Sequence, residues 1–273
     1  MIRKYADNAV SFEYDDEQFE SRNNGQLRYI GKETDGSQIQ VPNGIVDGTA
    51  MFEDTDIQSA PDLPDSIKIM NNMYRGCANM KDPGRIPDGV TDIDGAYSYT
   101  GIRETPYMPD SVESANFAFD HCRDLERCEN FSSNMRNAVC MFAGDKSLKE
   151  LPEELPDSLV DMDGFACACE NLTRAPKTGS NVKNMSHAYA SNIRLENIPE
   201  IPEGAYAKDV ISDCYTLEQK GINDGSLSAA FQAANDFASD VKAPEKPLDR
   251  KAALDEITNG IESRGSVERQ MTE

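Results

Sequence analysis

A repeat solenoid of short strands and turn-like arcs, flanked by a small β region and a helical tail, is the fold class that this sequence predicts. Three observations carry the expectation. Pro-Asp-Ser-like turns recur at Pro64-Asp65-Ser66, Pro87-Asp88-Gly89, Pro109-Asp110-Ser111, Pro156-Asp157-Ser158 and Pro202-Glu203-Gly204, with Pro42-Asn43-Gly44 upstream. The apolar residues that follow them, Ile45, Ile67, Val90, Val112 and Leu159, fall with Met135 and Val182 on one series of 22–24-residue steps. Third, the 273 residues are only 38% hydrophobic, lean for a round globule, yet 10 Tyr and 10 Phe are too many for a disordered chain.

Stacking the units in register gives a template. After the opening apolar residue a second follows three later: Met70, Ile93, Ala115, Met162, Met185. An aromatic stands at offset seven in Phe52, Tyr74, Tyr97, Phe119, Phe142 and Tyr189, with Phe165 one place early. Offset ten holds a small or thiol residue: Thr55, Cys77, Thr100, Cys122, Cys169, Asn192. Met80, Leu125, Leu148, Leu172 and Leu195 follow three further on. Spacing of three suggests a short helical or 3-10 arc, and the segment before each proline turn reads as a very short strand. One such unit cannot bury its apolar face alone, whereas about seven in a row share one core.

The flanks differ from the repeat. Ala9–Tyr14, Gln26–Ile30 and Ser37–Val41 alternate like strands, separated by the turn signals Asn24-Gly25 and Asp35-Gly36, and read as an antiparallel meander capping the first coil. At the other end Ser226 is placed to N-cap a helix with Leu227, Ala230, Phe231, Ala234, Phe237, Ala238 and Val241 on one face. A Lys242–Pro247 linker leads to a second helix over Leu248–Ser263.

The phrases Val90-Thr91-Asp92-Ile93 with Ala96-Tyr97, Met51-Phe52, Met73-Tyr74-Arg75-Gly76-Cys77-Ala78-Asn79-Met80 and Leu151-Pro152-Glu153-Glu154-Leu155-Pro156-Asp157-Ser158 carry a family likeness. The chain resembles the BspA-like, Treponema-type leucine-rich repeat proteins over residues 41–204. The resemblance implies a right-handed curved solenoid, short parallel strands on its concave side, and a role in adhesion or protein binding. The expected organisation is a β cap over 1–40, the leucine-rich solenoid over 41–215 and a helical cap or tail over 216–273. Many relatives are exported; with no apolar leader after Met1-Ile2-Arg3-Lys4 and no membrane-length apolar run, a cytoplasmic location is expected here instead.

Charge and chemistry narrow the function. Twenty-seven Lys+Arg against 49 Asp+Glu leave a formal charge of −22, which argues against gripping a phosphate backbone. The seven cysteines include no Cys-x-x-Cys pair and are expected to be reduced core or corner residues. His121 and Cys122 adjoin, but neighbours on a coil generally point different ways. Asp15-Asp16-Glu17 lacks the alternating oxygen spacing of a calcium loop. No phosphate-binding, dinucleotide or hydrolase motif is present. No enzyme activity, cofactor or metal is therefore expected. The expected function is a scaffold whose acidic, curved repeat surface binds a protein partner, a basic surface being one option for it, through Arg103, Thr105, Tyr107, Arg127, Lys149 and Arg174 on the strand stretches. One alternative is an acidic inhibitor imitating nucleic acid, with Asp65, Asp88, Asp110, Asp157 and Glu203 as a row of turn carboxylates; another is a cell-surface adhesin.

Overall fold

The computed structural model describes residues 1–6, 11–22 and 25–222. All fall in the first of two units of the chain, Met1–Asn235; the second, Asp236–Glu273, and both expected C-terminal helices lie outside the described residues.

The N-terminal strands form two separate hairpins rather than one meander. β1 (Ile2–Ala6) pairs antiparallel with β2 (Ser11–Asp15), and β3 (Phe19–Ser21) with β4 (Leu27–Tyr29). Period-two alternation buries Leu27 and Tyr29 and leaves Arg28 exposed. The third expected strand, Ser37–Val41, is instead led by a 3-10 turn, Gly36–Gln38. Asp35 starts it: its carboxylate accepts from the Ser37 amide at 2.9 Å, the short-range bond that draws Asp-Gly-Ser out of a strand. Gly36 also lies against the next coil, where a Cβ would stand 2.3 Å from the Ala60 carbonyl oxygen. The second hairpin meets the repeats directly. Tyr29 donates its amide to Met51 O at 2.7 Å, and the rings of Phe19 and Tyr29 pack on Phe52 with centroids 6.1 and 5.4 Å away.

From Asp47 onward the chain winds into coils joined by single-residue parallel bridges. Asp47, Ile69, Asp92, Ser114, Asn137, Asp161, Asn184 and Tyr206 form one unbroken column stepping by 22–24 residues. That column marks eight coils, one more than the apolar series ending at Val182, because the last opens on Ala205. The expected short strands shrink to single bridges for a local reason. Asp47, Asp92, Asp161 and Asn184 each turn a side-chain oxygen onto the amide two residues ahead, at 2.9–3.2 Å, which bends the chain immediately after the bridge.

The arc beyond the bridge is not helical. Alternate amides donate to the next coil, as Met70 to Asp92 O, Asn72 to Asp94 O, Tyr74 to Ala96 O and Gly76 to Ser98 O, all at 2.8 Å. The amides between them close turns within the coil: Met73 to Met70 O, Arg75 to Asn72 O, Cys77 to Tyr74 O, at 3.0–3.1 Å. Both patterns coexist because two residues in each arc are left-handed. Ala50, Asn72, Gly95, Phe117, Cys140, Gly164, His187 and Asp209 form one such column, with φ of 50–66°. Asp54, Gly76, Tyr99, His121, Gly144, Ala168, Ser191 and Asp213 form the other, with φ of 57–77°. The three-residue apolar spacing thus comes from consecutive turns, with side chains facing inward at each corner.

The core is a set of columns. Phe52, Tyr74, Tyr97, Phe119 and Phe142 are fully buried and follow one another at 5.3–5.6 Å between ring centroids. Each contributes about 1.5–3 kcal/mol through burial, realised only when the neighbouring coil is in place. Phe165 is the exception that keeps the column filled. Phe142 donates its amide to Phe165 O as Tyr97 donates to Ala118 O, both at 2.8 Å, so Phe165 occupies the Ala118 position and Ala166 the Phe119 position. The aromatic and its small neighbour have exchanged places. Ring contacts turn from parallel at Phe119–Phe142 (10°) to edge-on at Phe142–Phe165 (87°), and half-buried Phe131 packs against both Phe142 and Phe165.

Candidate interaction surface

A second set of bridges runs beside the first. Ser59 joins Asp82, Glu104 joins Arg127 and then Glu150, and Glu154 joins Lys177. The expected partner-binding residues cluster on this set, but the structure separates them by role. Thr105 is a core residue, 1% exposed: its hydroxyl accepts from the Glu129 amide at 3.0 Å and faces Cys128 Sγ at 3.7 Å. A β-branched residue at the inward position of a bridge is buried by the strand's alternation, so it is withdrawn from the surface set.

Arg127 and Lys149 are exposed yet already matched within the chain. The Arg127 guanidinium meets Glu104, and Lys149 Nζ meets Glu126 at 2.9 Å, one coil back in each case. Lys177 and Glu154 repeat the arrangement at 2.7 Å. The Lys149 hydrogen bond holds Glu126 below the usual carboxylate range, and Lys177 does the same to Glu154. Coil spacing close to 5 Å brings such side chains into reach across 23 residues of sequence. Arg103, Arg174 and Tyr107 are exposed, and Tyr107 is the most open large hydrophobic side chain of this face at 61%.

The turn row is exposed in all five members, Asp65, Asp88, Asp110, Asp157 and Glu203. Two have intramolecular partners. Asp65 pairs with Arg85 at 2.7 Å, and Asp110 accepts from the Ser133 amide and hydroxyl at 3.1 and 2.8 Å, which lowers its pKa. Ser133 and Ser180 take the turn position of their coils, so the row is broken twice by neutral residues. The turns are knitted by their serines: Ser66 Oγ accepts from the Gly44 amide at 3.1 Å and donates to Ile45 O at 2.7 Å.

The groups weighed for chemistry are held structurally. None of the seven cysteines is joined in a disulfide. Cys122 Sγ donates to Tyr97 O at 3.0 Å, while His121 turns its Nδ1 to Asp120 at 2.8 Å and stacks on Tyr99 at 4.9 Å. The two neighbours point apart. Burial raises Asp120 above the usual carboxylate range against the opposing pull of His121, and burial likewise raises Asp94. Asp16 is met by Arg3 at 2.6 Å. Among the described residues no group of three or more His, Cys, Asp or Glu is arranged to hold a metal ion, and no helix is long and apolar enough to cross a membrane. One residue of consequence escapes the sequence template. Asp145 stands at offset ten in the coil opened by Met135, in the thiol and threonine column, fully buried. Counting ten from Met135 would have found it, but that coil, like the one opened by Val182, lacks the proline turn that marks the rest.

In-register coils joined by parallel bridges, with an aromatic column inside and an exposed bridge-side face, define a leucine-rich repeat fold. Solved structures that resemble it are leucine-rich repeat proteins, and the likeness is one of fold. A leucine-rich repeat protein from Bacteroides ovatus matches 74% of this chain and 54% of its own, with 18% identity and a TM-score of 0.52, so this chain spans about half of that one. The Treponema pallidum leucine-rich repeat protein matches 82% of this chain and 95% of its own, with 19% identity and a TM-score of 0.45. A leucine-rich cell surface protein from Faecalibacterium prausnitzii matches 88% and 99%, with 14% identity and a TM-score of 0.28. No protein-family profile and no curated sequence matches the chain.

Proposed function

We propose that this chain is a non-enzymatic protein-interaction scaffold whose repeats form a solenoid, covered at its N-terminal end by the two hairpins. It acts in the cytoplasm and presents the second bridge face, with Tyr107, Arg103 and Arg174, to a protein partner. The single observation that carries the reading is the regular array of exposed side chains that in-register bridging builds on that face. Arrays of this kind suit long shallow contacts between proteins. The charge of −22 favours a partner with a basic surface.

The nucleic-acid-imitating alternative is less well supported. The turn position carries at most one carboxylate per coil, a charge roughly every 5 Å, and is neutral at Asn43, Ser133 and Ser180, whereas one DNA strand carries a phosphate about every 3.4 Å. The test is capture of partners from host lysate by the native chain and by R103E/Y107A, at low and moderate salt. A scaffold loses one specific partner in the double variant at both salt levels. Unchanged capture by the variant, or capture only of nucleic-acid-binding proteins that vanishes at moderate salt, overturns it.

A further inference from the structure

One column of the core consists of groups that donate to main-chain carbonyls. Thr55 and Thr100 give their hydroxyls to Phe52 O and Tyr97 O at 2.8 and 2.7 Å. Cys77, Cys122, Cys169 and Cys214 give their thiols to Phe52, Tyr97, Phe142 and Tyr189 O at 3.0–3.2 Å. Asn192 gives Nδ2 to Ala166 O at 3.0 Å. Along the stack a cysteine fills every second place, and the places between read Thr55, Thr100, Asp145 and Asn192.

Asp145 therefore stands where threonine stands in the two preceding pairs of coils. It is 0% exposed, and neither carboxyl oxygen has a hydrogen-bond partner. The Cys122 amide beside it is already given to Phe119 O at 3.1 Å. An ionised carboxylate only accepts, and isolating one in an apolar core is among the most costly burials known. We propose that Asp145 is carried as the neutral carboxylic acid at neutral pH, its O–H supplying the donor that threonine supplies in the earlier coils. The carbonyl equivalent to Tyr97 O in this coil is Phe142 O, which takes the Asp145 amide at 3.2 Å and the Cys169 thiol at 3.1 Å, as Tyr97 O takes Thr100 and Cys122.

The titratable groups around it agree. Cys122 and Cys169 face Asp145 from the adjoining coils, and burial keeps both as thiols. The other charged neighbour is Asp120. Burial raises Asp120 too, but His121 and Arg75 favour its charged form, whereas the charge that acts on Asp145 among the described residues is the carboxylate of Asp120. Burial first, and the Asp120 charge second, push Asp145 well above the carboxylate range. Of the two carboxyls, Asp120 holds the charge and Asp145 the proton.

The proton makes the stack sensitive to rising pH. The unfolded chain releases it near the ordinary aspartate value of about 4, while the folded chain keeps it, so folding binds one extra proton above that pH. Stability then falls as pH rises, until the folded carboxyl itself ionises. Infrared spectra of the native chain, D145N and D120N at pH 7, with thermal unfolding of native and D145N chains from pH 5 to 8, test this. The expected results are a protonated-carboxyl C=O band present in the native chain and D120N and absent from D145N. The Tm advantage of D145N should widen by roughly 3–5 °C per pH unit, the slope of one proton for a chain of this size. D145T, which restores the threonine of the earlier coils, replaces D145N if the asparagine does not fold. Absence of the band in the native chain, its persistence in D145N, or a Tm difference flat with pH overturns the proposal.

Discussion

Removing one ring from the middle of the aromatic column is the most direct test of how these coils support one another. Phe119 is fully buried between Tyr97 and Phe142, with centroids 5.5 and 5.6 Å away and ring planes within 12° of parallel. Phe119→Ala leaves a cavity open to both neighbouring coils and is expected to cost about 3–5 kcal/mol. Domains are stable by only about 5–15 kcal/mol, so the loss is readable in a urea titration followed by circular dichroism. The sharper measurement is a pair of double-mutant cycles with leucine, which keeps most of the volume and removes the ring. Phe119→Leu with Phe142→Leu should show a coupling of about 0.5–1.5 kcal/mol, because the two rings touch. Tyr74→Leu with Phe142→Leu, separated by Tyr97 and Phe119, should add within about 0.5 kcal/mol. Equal couplings for the touching and separated pairs, or a cost below about 1 kcal/mol for Phe119→Ala, would refute nearest-neighbour support between coils.

Two further expectations concern single buried atoms and backbone angles. Tyr74 buries a hydroxyl with no hydrogen-bond partner, whereas Tyr97 gives its hydroxyl to Pro83 O at 3.3 Å. Tyr74→Phe should therefore be neutral or stabilising and Tyr97→Phe should cost about 1 kcal/mol, compared by urea midpoints; the opposite order would show that Tyr74 is satisfied. Ala168 sits at φ 59° in the column that holds glycine at Gly76 and Gly144. Ala168→Gly should raise Tm, its relief of roughly 1–2 kcal/mol of left-handed strain exceeding the entropy that glycine adds to the unfolded chain, while Gly144→Ala should lower it because its Cβ would stand 3.1 Å from the His121 ring.

The aromatic column was legible because every 22–24 residues the same inward corner returns, and a buried corner tolerates little besides a large ring. Even the displaced Phe165 could be seen in sequence as an offset of one. What could not be seen was its cure, the exchange with Ala166 and the arrival of Phe131, because both depend on which carbonyl of the next coil each amide meets. The left-handed columns were hidden for a related reason. Only two of the eight residues in the first are glycine, so no residue type announces the angle. Hydrogen bonding to two coils at once imposes it, overriding local preference.

The candidate surface divides in the same way. That Tyr107, Arg103 and Arg174 are exposed follows from polarity and their place after the corner. That Thr105 turns inward, and that Arg127 and Lys149 are matched to Glu104 and Glu126, depends on register between coils.

By itself the sequence determined the period, the identity of the inward side chains and the fold type, since a motif that cannot bury its own face forces its copies to stack. Tertiary structure alone decided the backbone handedness at each corner, the matching of charges across coils and the isolation of Asp145. Each of those depends on distances between residues more than twenty positions apart, which only the winding of one coil on the next brings within a few ångströms.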